Sequence, residues 1–168
     1  ALLLLYYRHG WSKTGGINLT DPLPAASLPR ISVIIPARNE EKNIAVLLNA
    51  LLKQSYPSGQ TEIIVIDDHS SDLTASVVQS YPQVRLIQLT EDALNSYKKK
   101  AIEKGIAAAN GELIITTDAD CIPGPEWLSS MVSFYEEKKA VFIAAPVVFS
   151  HNNSVLQVFQ ALDFLVLQ

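Results

Sequence analysis

The sequence predicts an α/β domain built on a mostly parallel, open sheet with helices on both faces. Two observations predict it. From Arg30 onward, short apolar runs alternate with amphipathic stretches. Each run is near-continuously apolar, the pattern of a strand buried on both faces. Strands that alternate with helices build βαβ units and a parallel sheet.

The elements follow in order. ISVIIP, Ile31 to Pro36, is the first strand. NEEKNIAVLLNALLKQSY is the first helix, with Ile44, Leu47, Leu48, Leu51 and Leu52 on one stripe. Asn39 is its expected N-cap, and Glu40 and Glu41 suit the positive end of its dipole. PSG ends that unit, and TEIIVID, Thr61 to Asp67, is the second strand. SSDLTASVVQSY is a second helix with a serine cap and the stripe Leu73, Val77, Val78 and Tyr81. VRLIQL, Val84 to Leu89, is the third strand. NSYKKKAIEKGIAAA is a third helix closed by Asn110 and Gly111, and ELIITTD a fourth strand. PEWLSSMVSFYEEK is a fourth helix, AVFIAAPVVF a fifth strand, and SVLQVFQALDFLVLQ a further, strongly apolar helix.

Composition narrows the function. The 168 residues are 48% hydrophobic and 18% charged, the balance of a folded domain. A formal net charge of −4 argues against a nucleic-acid partner. The single cysteine, Cys121, excludes an internal disulfide and a multi-cysteine zinc site.

The chain opens with ALLLLYYRHGW, too short an apolar run to span a bilayer, which takes roughly 20 residues. It reads either as the tail of a transmembrane helix, with Tyr6, Tyr7 and Trp11 at the interface and Arg8 on the cytoplasmic side, or as a short apolar arm packed on the domain, and the linker that follows favours the first. A Gly-, Pro- and Ser-rich linker follows. The expected organisation is a membrane-proximal segment and linker at 1–29, a ligand-binding domain at 30–150, and the start of a further helical region at 151–168.

In open parallel sheets, ligands bind beyond the carboxyl ends of the strands. Here those ends read PARNE, DDHSSD and TDADC. Carboxylates gathered in a cleft are costly unless protonated, paired or holding a cation. If the segment stays extended, Asp118 and Asp120 point to the same side, with Ala119 turned away. Two oxygen donors without a His or Cys cluster favour Mg2+ or Mn2+ over Zn2+. Magnesium held by one or two carboxylates completes its shell with water and substrate phosphates, so the pair suggests a phosphate-bearing substrate. Asp67 and Asp68 suit the N–H of a nucleobase or a ribose hydroxyl, while His69 reads as a turn residue. Most of Lys98, Lys99, Lys100 and Lys104 reads as a solvated face, with Lys98 placed to reach a diphosphate. Neither a P-loop nor a dinucleotide fingerprint is present, which leaves phosphate binding to a metal.

SVIIPARNEEKNI, IIVIDDHSSDLT, KKKAIEKGI and GELIITTDADCIPGPEWL, in this order, resemble the N-terminal half of family 2 glycosyltransferases, from about Ile31 to Phe149. That resemblance implies a Rossmann-like GT-A fold and an inverting transfer of sugar from a nucleotide diphosphate, UDP favoured. It implies that Pro36, Ala37 and Arg38 line the nucleoside pocket with Glu40 beside them. Asp68, with Asp67, would hold base and ribose; Lys98 would sit at the diphosphate. Asp118 and Asp120 would be the D-x-D pair on the divalent cation, with Ala119 between them in the donor site. Glu103 departs from the asparagine usual in the stretch after the lysine.

The resemblance further implies a saccharide or lipid-linked acceptor, a cell-envelope polysaccharide or glycolipid product, and a membrane-associated protein with its active site on the cytoplasmic face. The family's acceptor base lies downstream of D-x-D, so it is expected beyond Gln168. No Q-x-x-R-W motif occurs, and Asp163, in an apolar helix, does not replace the base. Two other readings compete. A nucleotidyltransferase would show a Gly-rich basic loop where this chain has PARNEE. A non-catalytic nucleotide-binding domain would not need intact acidic strand ends.

Overall fold

The computed structural model describes residues 28–90, 97–145 and 147. The chain divides into two compact units, residues 19–133 and a second made of 1–18 with 134–168. The first unit holds four strands: β1 (Ile31–Ala37), β2 (Thr61–Asp67), β3 (Val84–Gln88) and β4 (Leu113–Thr116). Its helices are α1 (Ile44–Leu52), α2 (Thr74–Gln79), α3 (Tyr97–Ala108) and the first half of α4 (Trp127–Lys138). The strands form one sheet in the order β3-β2-β1-β4, all parallel. Ile31 lies opposite both Thr61 and Leu113, so β1 is central.

Alternation along β1 distributes its side chains between two cores. Val33, Ile35 and Ala37 pack with Ile44, Leu47, Leu48 and Leu51 of α1, Val78 of α2, and Leu128 and Val132 of α4. Ile34 turns the other way and packs with Ile64 and Ile66 of β2 and Ala101 of α3. Helices therefore cover both faces. Each fully buried Ile or Leu contributes about 2 kcal/mol relative to exposure. On the α3 face, a Cβ at Gly105 would lie 2.4 Å from Ile34 Cγ2 and 2.8 Å from Ile66 Cδ1. The helix therefore rests its backbone against the sheet.

A polar lock ties the amino end of the sheet together. Buried Ser32 donates from Oγ to Glu62, and the same Oγ accepts the Gly111 N–H at 2.7 Å. Glu62 also accepts the Asn110 backbone N–H and, at 3.2 Å, its side-chain amide. Burial pushes the Glu62 carboxyl up, but these hydrogen bonds, with Arg30 nearby, outweigh it and hold it below the ordinary 4.5. The sign follows. A depressed carboxylate stabilises the fold above its unfolded value, and that contribution is lost as pH falls through the lower folded value. Wild type should lose urea resistance as pH drops below 4.5, and Glu62→Gln should start lower and lose less. Equal acid slopes in urea titrations of the two proteins would remove Glu62 from this account.

Among the described residues, four strands and four α-helices lie where the apolar periodicity places them, and four expectations are corrected. Asn39 does not cap α1: its φ is 57°, and the helix starts later, at Ile44, behind Asn43, which makes no side-chain cap. Leu52 and Leu73, expected on the buried stripes, are exposed. The second helix has no serine cap, since Leu73 precedes it and Asp72 Oδ1 accepts the Thr74 N–H at 2.9 Å instead. The expected fifth strand is not formed over 140–145 or at 147, where Val141 and Phe142 are exposed. Apolar, β-branched composition favours a strand, but a ladder with a neighbour makes one. In the second unit, the described residues are the end of α4 and this irregular stretch, with Lys139 at φ 50°.

The N-terminal apolar segment, most of its linker and the expected C-terminal helix with Asp163 lie outside the described residues. Leu28 and Pro29 belong to the packed body: Leu28 touches the α1-side core, and the Pro29 carbonyl accepts the Tyr56 hydroxyl at 2.6 Å. Among the described residues, no helix is long and apolar enough to cross a membrane.

Candidate functional site

The strand order reverses at β1, with β2 on one side and β4 on the other. This is the point where an open parallel sheet leaves a crevice at its carboxyl edge. Pro36 widens it. Thr117 N–H donates to Ile34 O, so Ile34 faces β4, and by alternation Pro36 faces β4 as well. Proline has no N–H to extend that ladder, and the pairing ends at Ile34–Thr116. On the other side pairing continues through Ala37–Asp67, and Asp68 N–H donates to Ala37 O at 2.8 Å.

A cavity of about 370 Å³ occupies this position. The end of β1 supplies Pro36, Ala37, Arg38 and Glu40. Asp68 comes from the end of β2, Lys98 from α3, and Asp118, Ala119 and Asp120 from the segment after β4. The volume falls within the roughly 300–1,000 Å³ of small-molecule sites. Four carboxylates and two cations line it, so it is acidic.

The two loops that carry the site are fastened to each other. Asn39 N–H donates to Ser70 Oγ at 2.9 Å, and Asn39 Oδ1 accepts the Ser71 N–H at 2.8 Å. Glu40 N–H donates to buried Thr74 Oγ1 at 2.8 Å. Glu41 N–H donates to Asp72 Oδ2, while Glu41 Oε2 accepts the Leu73 N–H, both at 3.1 Å. Desolvation raises Asp72, but the Thr74 hydroxyl, the Thr74 N–H and the Glu41 N–H together outweigh it and lower its pKa. Asn39 and His69, at φ 57° and 55°, turn the chain at the two ends of this seam. Both residue types tolerate the left-handed region better than most. The seam joins residues some thirty positions apart, and sequence reasoning missed it. Only the density of Ser, Thr, Asn and Asp in both loops hinted at it.

The paired aspartates of the second strand separate. Asp67 is buried and lies outside the cavity lining; its Oδ1 accepts the Ser70 N–H and its Oδ2 accepts Gln88 Nε2, each at 3.2 Å. Asp68 turns into the cavity with its side chain 7% exposed. His69 Nδ1 lies 2.9 Å from its Oδ1, and Arg38 Nη1 lies 3.8 Å from its Oδ2.

Asp118 and Asp120 both reach the cavity, by a different geometry from the expected one. β4 stops at Thr116, and Cys121 N–H donates to Asp118 O at 3.2 Å, which closes a turn over Asp118–Cys121. The pair therefore sits on a turn rather than on an extended strand. Ala119 between them is buried in the α1-side core and anchors the turn. PGPEW is then pinned to the end of α1. Ser55 N–H donates to Pro125 O at 2.9 Å, Gln54 Nε2 to Gly124 O at 2.7 Å, and Leu128 N–H to Gln54 Oε1 at 3.0 Å.

Among the described residues there is no cluster of three or more His, Cys, Asp or Glu placed to hold a metal. The rim instead offers the two oxygen donors of Asp118 and Asp120, which suits a hard divalent ion that takes its other ligands from water and phosphate. The chain itself places a cation there: Lys98 Nζ lies 2.6 Å from Asp118 Oδ1. The residues present therefore fit a hard divalent cation.

An open parallel sheet with an acidic crevice at its reversal point defines a doubly wound α/β domain, here of the GT-A fold. The chain belongs to glycosyl transferase family 2, which it matches over residues 32–160. It is 30% identical over 132 residues to glycosyltransferase AglE of Haloferax volcanii, which covers 76% of this chain and 42% of that protein. It is 32% identical over 117 residues to a beta-monoglucosyldiacylglycerol synthase of Trichormus variabilis, 67% of this chain and 25% of that one. Among solved structures it resembles mannosyltransferase PcManGT from Pyrobaculum calidifontis in complex with GDP-Man and Mn2+, with a TM-score of 0.61 and 29% identity over 86% of this chain and 41% of that one. It also resembles S. aureus TarS 1–349 in complex with UDP-GlcNAc, with a TM-score of 0.56 and 28% identity over 70% of this chain and 37% of that one. The chain thus spans less than half the length of each of these relatives.

Proposed function

We propose that this chain is the donor-binding half of an inverting, metal-dependent glycosyltransferase that moves a sugar from a nucleotide diphosphate to an acceptor hydroxyl. The observation that carries the reading is the crevice of a family 2 chain in which Asp68, Lys98, Asp118 and Asp120 surround one cavity. A saccharide or lipid-linked acceptor fits, for a cell-envelope polysaccharide or glycolipid. The N-terminal segment is proposed to hold the protein at the membrane with the site on the cytoplasmic face.

Each residue has a physical task. Pro36 and Ala37 form the wall against which the nucleoside lies. Asp68, almost desolvated, accepts a nucleobase N–H. His69 already engages its Oδ1, which favours a base offering a single N–H, and UDP over GDP. Arg38 and Lys98 face the anionic diphosphate. Asp118 and Asp120 hold the divalent ion. When bound, that ion supplies positive charge where negative charge grows on the departing diphosphate. The reading leaves deprotonation of the acceptor to a carboxylate that is not among the described residues.

Calorimetry with UDP and Mn2+ tests it. Wild type should bind UDP only with the ion present, and Asp118→Ala or Asp120→Ala should each weaken that binding by tenfold or more, about 1.4 kcal/mol per tenfold. Variants that bind as tightly as wild type would refute the metal role of the pair.

A further inference from the structure

We propose that Lys98 occupies the cation position at Asp118 until a nucleotide diphosphate arrives, so that metal and donor bind as a coupled pair. The inference rests on the donor-site reading above. Lys98 Nζ is 2.6 Å from Asp118 Oδ1, and the two side chains are 62% and 56% exposed. A pair so exposed is held weakly and exchanges readily. It nevertheless meets a need, since Asp118 and Asp120 stand on one turn and repel each other without a counter-charge.

The backbone beneath Lys98 is well placed for such an exchange. Lys98 lies in the first turn of α3, and that helix is seated on the sheet by buried Ala101 and by the close approach of Gly105 to Ile34 and Ile66. Only the flexible four-carbon stem has to move. The neighbouring lysines are not equivalent: Lys100 faces Glu103 at 3.7 Å, and neither Lys99 nor Lys100 lines the cavity.

The coupling follows from charge. An ammonium and a divalent ion drawn to the same carboxylate oxygen repel each other. A metal arriving alone pushes Lys98 off Asp118 and leaves its charge in a site to which the ion adds two more positive charges. A metal arriving with a diphosphate displaces it onto a phosphate oxygen. The lysine therefore opposes the first event and assists the second. Coupling of this kind is reciprocal, so the ion raises nucleotide affinity by the factor by which the nucleotide raises ion affinity.

One substitution should then act with opposite signs. In Mn2+ titrations followed by electron paramagnetic resonance, Lys98→Met should bind Mn2+ alone about fivefold more tightly than wild type. In calorimetry with Mn2+ present, the same variant should bind UDP about tenfold more weakly. Lys99→Met should change neither by more than about twofold, as expected for an exposed charge outside the cavity. Unchanged affinity for Mn2+ alone in Lys98→Met would overturn the inference, and so would equal tightening in Lys99→Met. Failure of wild type to bind UDP with Mn2+ would overturn the donor-site reading itself. That result is distinct from wild-type binding without the sign reversal, which overturns only the exchange.

Discussion

Gly111→Ala should lower the free energy of unfolding by about 3 kcal/mol, the upper range for forcing atoms into a packed site. A Cβ there would lie 2.5 Å from the Ser32 backbone nitrogen, 2.5 Å from Ser32 Oγ and 2.7 Å from the Ile31 carbonyl carbon. Two of these atoms are main chain of the central strand and cannot rotate aside. Relief would require residues 110–113 to draw back, and that stretch carries the Gly111 N–H to Ser32 Oγ, the Asn110 bonds to Glu62 and the start of β4. The same addition at Gly105 is an internal control. There the obstacles are Ile34 and Ile66 side chains, and alanine recovers about 1 kcal/mol of helix propensity. Urea midpoints at neutral pH should rank wild type above Gly105→Ala and Gly105→Ala above Gly111→Ala. A Gly111→Ala protein within about 0.5 kcal/mol of wild type would show that the approach is looser than described.

Asp67 and Asp68 are adjacent and should fail in different ways. Asp67→Ala strips the acceptor from the Ser70 N–H and from Gln88, both near a buried carboxylate, and should cost about 2 kcal/mol of stability. Asp68→Asn keeps size and the His69 contact but replaces an acceptor with a donor on the cavity side. It should unfold close to wild type and bind UDP with Mn2+ roughly 30-fold more weakly, the equivalent of about 2 kcal/mol. Thermal unfolding and calorimetry on both variants separate the two effects. Equal losses of affinity at matched stability would mean that the nucleotide uses both carboxylates. A large loss of stability in Asp68→Asn would make it part of the seam instead.

The contrast shows how far local sequence reaches. The strands and the two faces of the sheet were legible because burial on both sides demands continuous apolar runs, and Ile31 to Ala37 and Thr61 to Asp67 supply them. The acidic strand ends were legible because a carboxylate after such a run needs a reason. The roles within each acidic stretch were not. Asp67 and Asp68 are the same residue type at neighbouring positions, and Gln88, on another strand, engages the first. Asn39 matched an N-cap by type, yet its side chain is taken by Ser71. AVFIAAPVVF matched a strand by composition, but its described residues 140–145 and 147 form none.

By itself, then, the sequence determined a parallel α/β sheet, the edge at which a ligand would lie, and the carboxylates gathered there. These follow from periodicity and composition, which act over a few residues. The tertiary structure decided the rest: the opening beside Pro36, the turn that presents Asp118 and Asp120, the seam between the β1 and β2 loops, and the pairing of Lys98 with Asp118. Each depends on which groups from distant parts of the chain meet within hydrogen-bonding or Coulomb range. That choice is made when backbone register and helix seating are set together, and it leaves no periodic trace in the chain.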